Sequence, residues 1–587
     1  MRFFLTFLIV VLSIFGFKGK DLYSSKDKLL IEIISYVIEK GHYDPIEIND
    51  DFSEKVFNKY LENIDGQHRF FLESDIKNFT RFKFEIDDQI KNADLEFFNL
   101  SYEVILKRID QVKSFYKELL ETPFDFSKDE NINLDYKNQS YYISQVQLKK
   151  YWRSRLKLST LDRFTTKKEE ENDKFKKDSL YQIKSDQILE EESRKITLEN
   201  MNYFFQNYSE FTRKDWFSIY LNSIVEQFDP HTFYFAPSDK DRFDTSMSGK
   251  FEGIGARLTK RNQEVKIVEI ISGGPLWKGK LLEVGDIILK VGQKNEEPVD
   301  ISGMRLDDAV KLIKGPKGTE VFLTVKKIDG TISLVTVVRD IVELEETYAK
   351  SSIIKTKENF YGLIELPKFY VDFKDYKERN AAVDVKKEIN ELKKRNVKGI
   401  ILDLRNNGGG SLKAVVDMTG FFIKTGPVVQ VKSTGGKKEI LSDFDANIFW
   451  DGPLVVLVNE FSASASEIIA AALQDYKRAI VIGSKQTFGK GTVQNMVDLN
   501  RIISSNTYGD LGALKVTTDK FYRINGGSTQ LEGVKSDIIF PNRYKYVEIG
   551  EKDQDNPLKW DKISPADYNT WDKALNYEYS LKNSKER

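Results

Sequence analysis

From about Lys26 to Ile224, Leu, Ile, Phe and Tyr recur at three- and four-residue spacings with charged residues between them and little Gly or Pro. That is the periodicity of amphipathic helices, and it predicts a helical region over most of 21–235. Within it, Lys167–Lys195 is dominated by Lys, Glu and Asp and reads as a solvated helical face or connector. Around Gly249 the texture changes to short β-branched runs broken by Gly: Val265–Ile271, Gly273-Gly274-Pro275, then Val284-Gly285-Asp286 followed by an apolar run. A helical spacing at Asp307–Ile313 and a strand at Val321–Lys326 complete a β-rich module at 245–335.

Farther on, strand and helix patterns alternate. Strands are expected at Tyr361–Leu366, Gly399–Leu404, Leu454–Val458 and Ala479–Ile482, with helices at Tyr376–Lys394, Leu412–Ile423 and Ser466–Tyr476. Such alternation predicts an α/β domain with a largely buried sheet over 340–540, whose chemistry sits at the strand-to-helix turns. The fold class expected is therefore multidomain α+β.

A chain of 587 residues with 40% hydrophobic content is too long for one core and fits roughly three to four domains. Lys and Arg number 90 against 91 for Asp and Glu, so no net field draws the chain to nucleic acid or to an anionic membrane. Met1-Arg2, the apolar run Phe3–Phe17 and Lys18-Gly19-Lys20 read as a signal peptide over 1–20, which directs the chain to export. The run lacks an Ala-x-Ala cleavage site, so an uncleaved anchor is the alternative and the only expected link to a membrane. The absence of Cys excludes a lipobox, disulfides and a cysteine nucleophile.

Only His42, His68 and His231 are present, all in or just after the helical region, so the α/β segment holds no histidine of its own for a Ser-His-Asp triad. No His-Glu-x-x-His occurs, and neither a metal nor a cofactor is expected. Three glycine- or serine-rich turns remain. Phe461-Ser-Ala-Ser-Ala-Ser-Glu467 follows a strand and precedes an Ala-rich helix, where backbone N–H groups suit an oxyanion; capping of that helix by Ser464 or Ser466 is the plainer reading. In Thr487-Phe-Gly-Lys490-Gly-Thr-Val-Gln494, the glycines flanking Lys490 permit the burial that a neutral lysine base needs, with an exposed loop lysine as the alternative. Leu402-Asp-Leu-Arg-Asn-Asn-Gly408-Gly-Gly410 ends a third strand with glycines that let amides approach a ligand.

At these residues the chain resembles the tail-specific proteases, or C-terminal processing peptidases, of the long periplasmic branch with a PDZ domain. The resemblance includes Tyr60–Asp65, Asp229-Pro-His-Thr232, Gly253-Ile254-Gly255-Ala256 and Phe521–Gln530 as well as the three turns. It implies a PDZ domain at 245–335 that binds polypeptide C-termini through Gly253, Ile254, Gly255 and Ala256, ahead of a crotonase/Clp-like serine protease domain. It implies Ser464 as nucleophile, Lys490 as its base, Gln494 orienting the base, the amides of Gly410 and Ala465 as oxyanion donors, and a role for Asp475 through local structure. The substrates implied are exported polypeptides with free C-termini in the periplasm, and a lipoprotein adaptor is the further partner. The stretch 541–587 is expected to be a shortened remnant of the branch's helical C-terminal region. A non-catalytic PDZ chaperone or scaffold and a crotonase-like hydratase are the alternatives.

Overall fold

The computed structural model describes residues 22–503, 505–571 and 577–586. The chain divides into two compact units, one of residues 22–36 and 46–227 and the other of residues 37–45 and 228 onward. The segment 1–20, read above as a signal peptide, lies outside the described residues.

The first unit is helical, as its periodicity predicts. It comprises α1 (Leu22–Gly41), whose last residues belong to the second unit, α2 (Asp50–Asp65), α3 (Glu73–Phe79), α4 (Ile86–Lys91), α5 (Glu96–Glu121), α6 (Gln145–Lys177), α7 (Asp186–Glu210) and α8 (Arg213–Val225). The start of α2 shows the local logic: Asn49 Oδ1 accepts the Phe52 N–H, and Phe52, Val56, Tyr60 and Ile64 then bury one stripe. The Lys-, Glu- and Asp-rich stretch forms the end of α6, a turn and the start of α7. Ion pairs Lys167–Glu192 (2.9 Å) and Lys168–Asp186 (2.8 Å) lace it together, as a solvated helical face requires.

The second unit opens with β1 (Phe233–Phe235) and α9 (Pro237–Ser248). The PDZ-like module follows: β2 (Lys250–Gly253), β3 (Ala256–Arg261), β4 (Glu264–Ile270), α10 (Pro275–Gly279), β5 (Ile287–Gly292), β6 (Val299–Asp300), α11 (Leu306–Ile313), β7 (Glu320–Lys326), β8 (Ile332–Val338) and β9 (Asp340–Glu343). Its sheet runs β3-β4-β5-β7-β8 with β6 beside β5, while β2 and β9 pair antiparallel at the module's neck. The strands thus continue to Glu343, past the 335 expected from sequence. Val265, Ile267, Leu276, Val321 and Leu323 fill its core.

The α/β part contains β10 (Lys350–Lys355), β11 (Phe360–Glu365), α12 (Ala381–Lys394), β12 (Ile400–Asp403), α13 (Leu412–Thr419), β13 (Gly426–Ser433), β14 (Lys438–Asp443), β15 (Leu454–Val458), α14 (Ala465–Asp475), β16 (Ile480–Gly483), β17 (Thr492–Asp498), β18 (Ala513–Tyr522) and β19 (Ile538–Ile539). One sheet runs β10-β11-β12-β15-β16-β19, parallel from β11 to β19, with Ile400 opposite Leu454 and Val456 opposite Val481. Its central strands are the apolar runs read from sequence, buried as parallel strands must be. A second sheet, β1-β18-β13-β14 with β17 also on β18, carries the other wall of the site.

Several expectations are corrected. The helix expected from Tyr376 begins at Ala381, because Asn380 Oδ1 caps the Val383 N–H and the preceding residues form turns. The helix expected to reach Ile423 ends at Thr419, where Phe421 and Phe422 turn into the core. Residues 37–45 and 228–235, read as part of the helical domain, belong to the second unit, and β1 pairs with β18. The stretch after Phe540, expected to be helical, has only a 3-10 turn at Glu551–Asp553 before Trp571; α15 (Tyr577–Glu586) is its one described helix. Tertiary contacts rather than periodicity hold this stretch, since Glu551 and Leu558 are buried.

Candidate active site

The three turns singled out in the sequence stand side by side at the carboxyl ends of β12, β15 and β16, because those strands are parallel neighbours. Hydrogen bonds sew the turns together. Asn407 O accepts the Ala463 N–H at 3.0 Å and the Ser466 hydroxyl at 2.8 Å, Ser462 Oγ donates to Leu404 O at 2.8 Å, and Phe488 N donates to Ser462 O at 3.0 Å. Ser466 is therefore bound to the neighbouring turn and does not cap α14.

Ser464 is the residue before α14 and has φ 56° and ψ −113°. A positive φ is uncommon for a residue with a side chain and costs on the order of 1–3 kcal/mol, so its surroundings must hold it there. Gly409 supplies part of that hold: a Cβ on it would stand 2.8 Å from Ser464 Cβ and 2.9 Å from Ala463 O, at a φ of +101°. Gly410 packs as closely on Phe369, where an added Cβ would meet the carbonyl oxygen at 2.3 Å. Among the described residues, the amides of Gly410 and Ala465 donate to no backbone carbonyl, and both residues line the same cavity as Ser464.

Sequence reasoning missed the residue that organises this corner. Glu467 is completely buried; its Oε2 accepts the N–H of Ser464 at 2.8 Å and of Lys490 at 2.9 Å, and its Oε1 accepts the Thr487 hydroxyl at 2.6 Å and the Gly489 N–H at 2.8 Å. Desolvation pushes its pKa up to about 8, against the four hydrogen bonds that favour the charged form. The Thr487 hydroxyl also accepts the Val534 N–H, so its own proton points at Glu467, and all four contacts are donors suited to a carboxylate. The Ser-x-x-Glu spacing from Ser464 to Glu467, a capping-box pattern, was the signal in the sequence.

Lys490 lies on the opposite wall, just before β17. Its flanking glycines are required: Gly489 has φ +96°, and a Cβ on Gly491 would meet Gln530 N at 2.7 Å. The Lys490 ammonium donates to Gln494 Oε1 at 2.5 Å. Its pKa is drawn down to about 8, first by desolvation and second by the charge of Lys515, with Glu551, Asp229 and Glu467 pulling the other way. Ser464, Lys490, Gln494, Gly410 and Ala465 all line one cavity of about 1190 Å³ that continues past Phe251 and Ile341 of the PDZ-like module.

Asp475 is not brought to this cavity. It stands at the far end of α14 from Ser464, roughly 15 Å along the axis at the usual helical rise. Its carboxylate pairs with Arg523 at 2.6 Å and accepts from Asn525 at 2.8 Å, fixing the loop that leads to Gln530. Gln530 in turn accepts the Gly491 N–H at 2.7 Å.

In the PDZ-like module, Gly253 ends β2 and Ala256 begins β3, with Ile254 buried between them. Gly255 has φ +81°, and a Cβ there would meet Gly274 Cα at 3.1 Å, so the turn can close only on glycine. α11 packs beside β3, which is an edge strand of its sheet. Among the described residues, no group of three or more His, Asp or Glu side chains is placed to hold a metal ion, and no helix is long and apolar enough to cross a membrane.

Models of four families match successive stretches of the chain: the tail specific protease N-terminal domain at 34–238, the PDZ domain at 244–326, peptidase family S41 at 361–540, and the C-terminal domain of tail specific protease at 544–587. A tail-specific protease of Haemophilus influenzae is 36% identical over 547 residues, which is 93% of this chain and 74% of that protein. A carboxy-terminal-processing protease of Bartonella bacilliformis is 34% identical over 352 residues, 58% of this chain and 74% of that protein. The solved PDZ domain of a carboxy-terminal protease from Vibrio cholerae, in complex with peptide, is 45% identical and covers 16% of this chain and 99% of that one, with a TM-score of 0.16. With its helical, PDZ and peptidase parts matched in order along nearly its whole length, the chain belongs to the tail-specific protease family and is a serine-type peptidase.

Proposed function

We propose that the chain cleaves exported polypeptides in the periplasm with a Ser464–Lys490 dyad, and selects them by a free C-terminus held at Gly253–Ala256. Neutral Lys490 takes the proton of Ser464 Oγ as that oxygen bonds to the peptide carbonyl carbon. The amides of Gly410 and Ala465 receive the oxyanion, worth about 3 kcal/mol per donor. As the C–N bond breaks, the lysine returns the proton to the departing amine, and a water activated by the same lysine then hydrolyses the acyl-enzyme. Gln494 holds the lysine by its amide oxygen, and Asp475 acts at a distance through the Arg523 loop.

One observation carries the reading. A lysine drawn down to about pKa 8 shares a cavity with a serine held at positive φ at the start of a helix, beside two amides that donate to no backbone carbonyl among the described residues. A desolvated ammonium is poised to lose its proton near neutral pH, and the strained serine turn opens on the same cavity as that lysine. The binding-only alternative gives no role to the lowered lysine.

The test uses a tail-tagged unfolded polypeptide incubated with the wild-type chain, Ser464→Ala and Lys490→Ala, with products read by mass spectrometry. Both variants are expected to lose cleavage, and amidation of the substrate's C-terminus is expected to slow the wild type. Cleavage by either variant at the wild-type rate overturns the dyad.

A further inference from the structure

The lysine's partner Gln494 poses a problem of orientation. A side-chain amide can present either its oxygen or its NH2, and the two ends have opposite effects on a base. The oxygen accepts from Lys490 and leaves the lone pair of the neutral amine free to take a proton. A flipped amide would donate into that lone pair and block it. Something must decide between them.

The decision is made along a chain of hydrogen bonds leading away from the cavity. Gln494 Nε2 donates to Thr492 Oγ1 at 2.9 Å and to Thr517 Oγ1 at 3.0 Å. A hydroxyl has one proton, and when Thr517 accepts from Gln494 that proton points elsewhere: it goes to Asp229 Oδ1 at 2.9 Å. Asp229 is buried, and an ionised carboxylate only accepts. Its Oδ1 also receives the His231 N–H at 2.7 Å, and its Oδ2 receives the Thr232 hydroxyl and His42 Nε2, the latter at 2.7 Å. The His42 tautomer is fixed too: the Asp44 N–H donates to Nδ1 at 3.2 Å, so the ring proton sits on Nε2 and points at Asp229. Tyr43 N donates to Thr517 O at 2.8 Å, and Thr517 N donates to Thr232 Oγ1 at 3.2 Å, which locks the three segments to one another.

We propose that Asp229, held by His42 and acting through Thr517, is a positioning residue that fixes which end of the Gln494 amide faces Lys490. The proposal rests on the Ser464–Lys490 reading and extends it by two further layers, supplied by residues 42–44 and 229–232 that lie far from the peptidase motifs in sequence. Every link has one polarity: His42 and Thr517 donate to Asp229, Gln494 donates to Thr517, and Lys490 donates to Gln494. Burial works to raise the Asp229 pKa, but the His42 and Thr232 hydrogen bonds overcome it and hold the group well below the usual carboxylate range. The relay therefore keeps its sense throughout the pH range in which Lys490 titrates.

The groups facing Lys490 set how a change at Asp229 would be read. They are Lys515 on β18, Glu467 on α14, Glu551 in the C-terminal stretch, and Asp229 and His231 in the turn before β1. Of these, Asp229 is an anion that favours the ammonium. Removing its charge moves the lysine's titration to lower pH, whereas loss of Gln494 orientation lowers turnover.

The experiment compares full-length Thr517→Val, Thr517→Ser and Asp229→Asn with the wild type, using Ser464→Ala and Lys490→Ala as reference variants. It measures kcat and KM on a tail-tagged unfolded polypeptide, the pH profile of kcat/KM, and the melting temperature. Thr517→Val, which removes the hydroxyl at nearly constant volume, is expected to lower kcat about 10- to 100-fold with KM within about twofold. Thr517→Ser, which keeps the hydroxyl, is expected to stay within about threefold of wild type. Asp229→Asn is expected to lower kcat similarly and to move the acid limb of the profile to lower pH. Wild-type turnover in Thr517→Val, or equal damage in the Val and Ser variants, overturns the relay; the Thr517 pair decides the matter even if Asp229→Asn fails to fold. Should Ser464→Ala or Lys490→Ala remain active, the dyad itself fails, a result separate from either outcome at Thr517.

Discussion

Glu467 Oε2 accepts the backbone N–H of Lys490 at 2.9 Å, tying the loop that carries Lys490 to the first turn of the helix that follows Ser464. The same oxygen accepts the Ser464 N–H, so one buried carboxylate sets the spacing of two residues 26 positions apart in sequence (490 − 464 = 26). It aligns the backbones while leaving both side chains to the cavity.

Glu467→Gln tests that tie. It preserves shape but turns one acceptor into a donor that faces donors, leaving at least one buried polar group unpaired at a cost of about 1–3 kcal/mol. A drop in melting temperature and a loss of kcat of at least about tenfold are expected, the second because the serine and lysine turns separate. Wild-type kcat in a correctly folded variant would show that the two turns hold their spacing without the carboxylate.

The pH dependence expected of the proposed dyad follows from Lys490. A base works only when neutral, and a lysine drawn down to about 8 from 10.5 is half neutral near pH 8, so kcat/KM should rise with pH and level off above that value. Lys515 contributes to the lowering by like-charge repulsion. Lys515→Met should therefore move the acid limb to higher pH, and a limb that stays in place would remove Lys515 from the account.

Asp475 and Arg523 should behave as one structural unit. Their side chains are 7% and 17% exposed, so removing either partner strands a largely desolvated charge. Asp475→Ala is expected to cost about 3 kcal/mol and to reduce activity through the displaced Gln530–Gly491 contact, and Arg523→Ala to do likewise. Denaturant melts of both single variants and the double variant make the check: the double should lose much less than the sum, while strict additivity would mean that the pair is not coupled.

Much of the site was legible because its chemistry is written in local backbone demands. Gly409 and Gly491 are required where a Cβ would collide and Gly489 where φ is +96°, and such positions announce themselves as glycine-rich turns after apolar runs. Glu467 was legible in principle from its capping-box spacing, but its contacts to Thr487, Gly489 and Lys490 come from a turn 20 to 23 residues away. His42 and His231 show the same limit. Lying in or just after a helical stretch, His42 and His231 gave no sign of belonging to the peptidase unit, yet Asp229 and Glu551 of that unit receive their ring nitrogens. The stretch after Phe540 was expected to be helical, although Pro541, Pro557 and Pro565 interrupt any long helical period there.

The sequence by itself determined the helical, PDZ-like and α/β parts and the three turns that carry the serine, the lysine and the glycines. Periodicity, burial and positive-φ backbone are properties of a few neighbouring residues, and they leave a local mark. Only the tertiary structure decided which residues surround the lysine: Glu467 beneath it, Lys515 beside it, and the line from Gln494 through Thr517 to Asp229 and His42. Desolvation and hydrogen-bond polarity are set by whatever the fold packs against a group, and here the parallel order of β12, β15 and β16, with β18 across the cavity, brings those residues together from segments hundreds of positions apart.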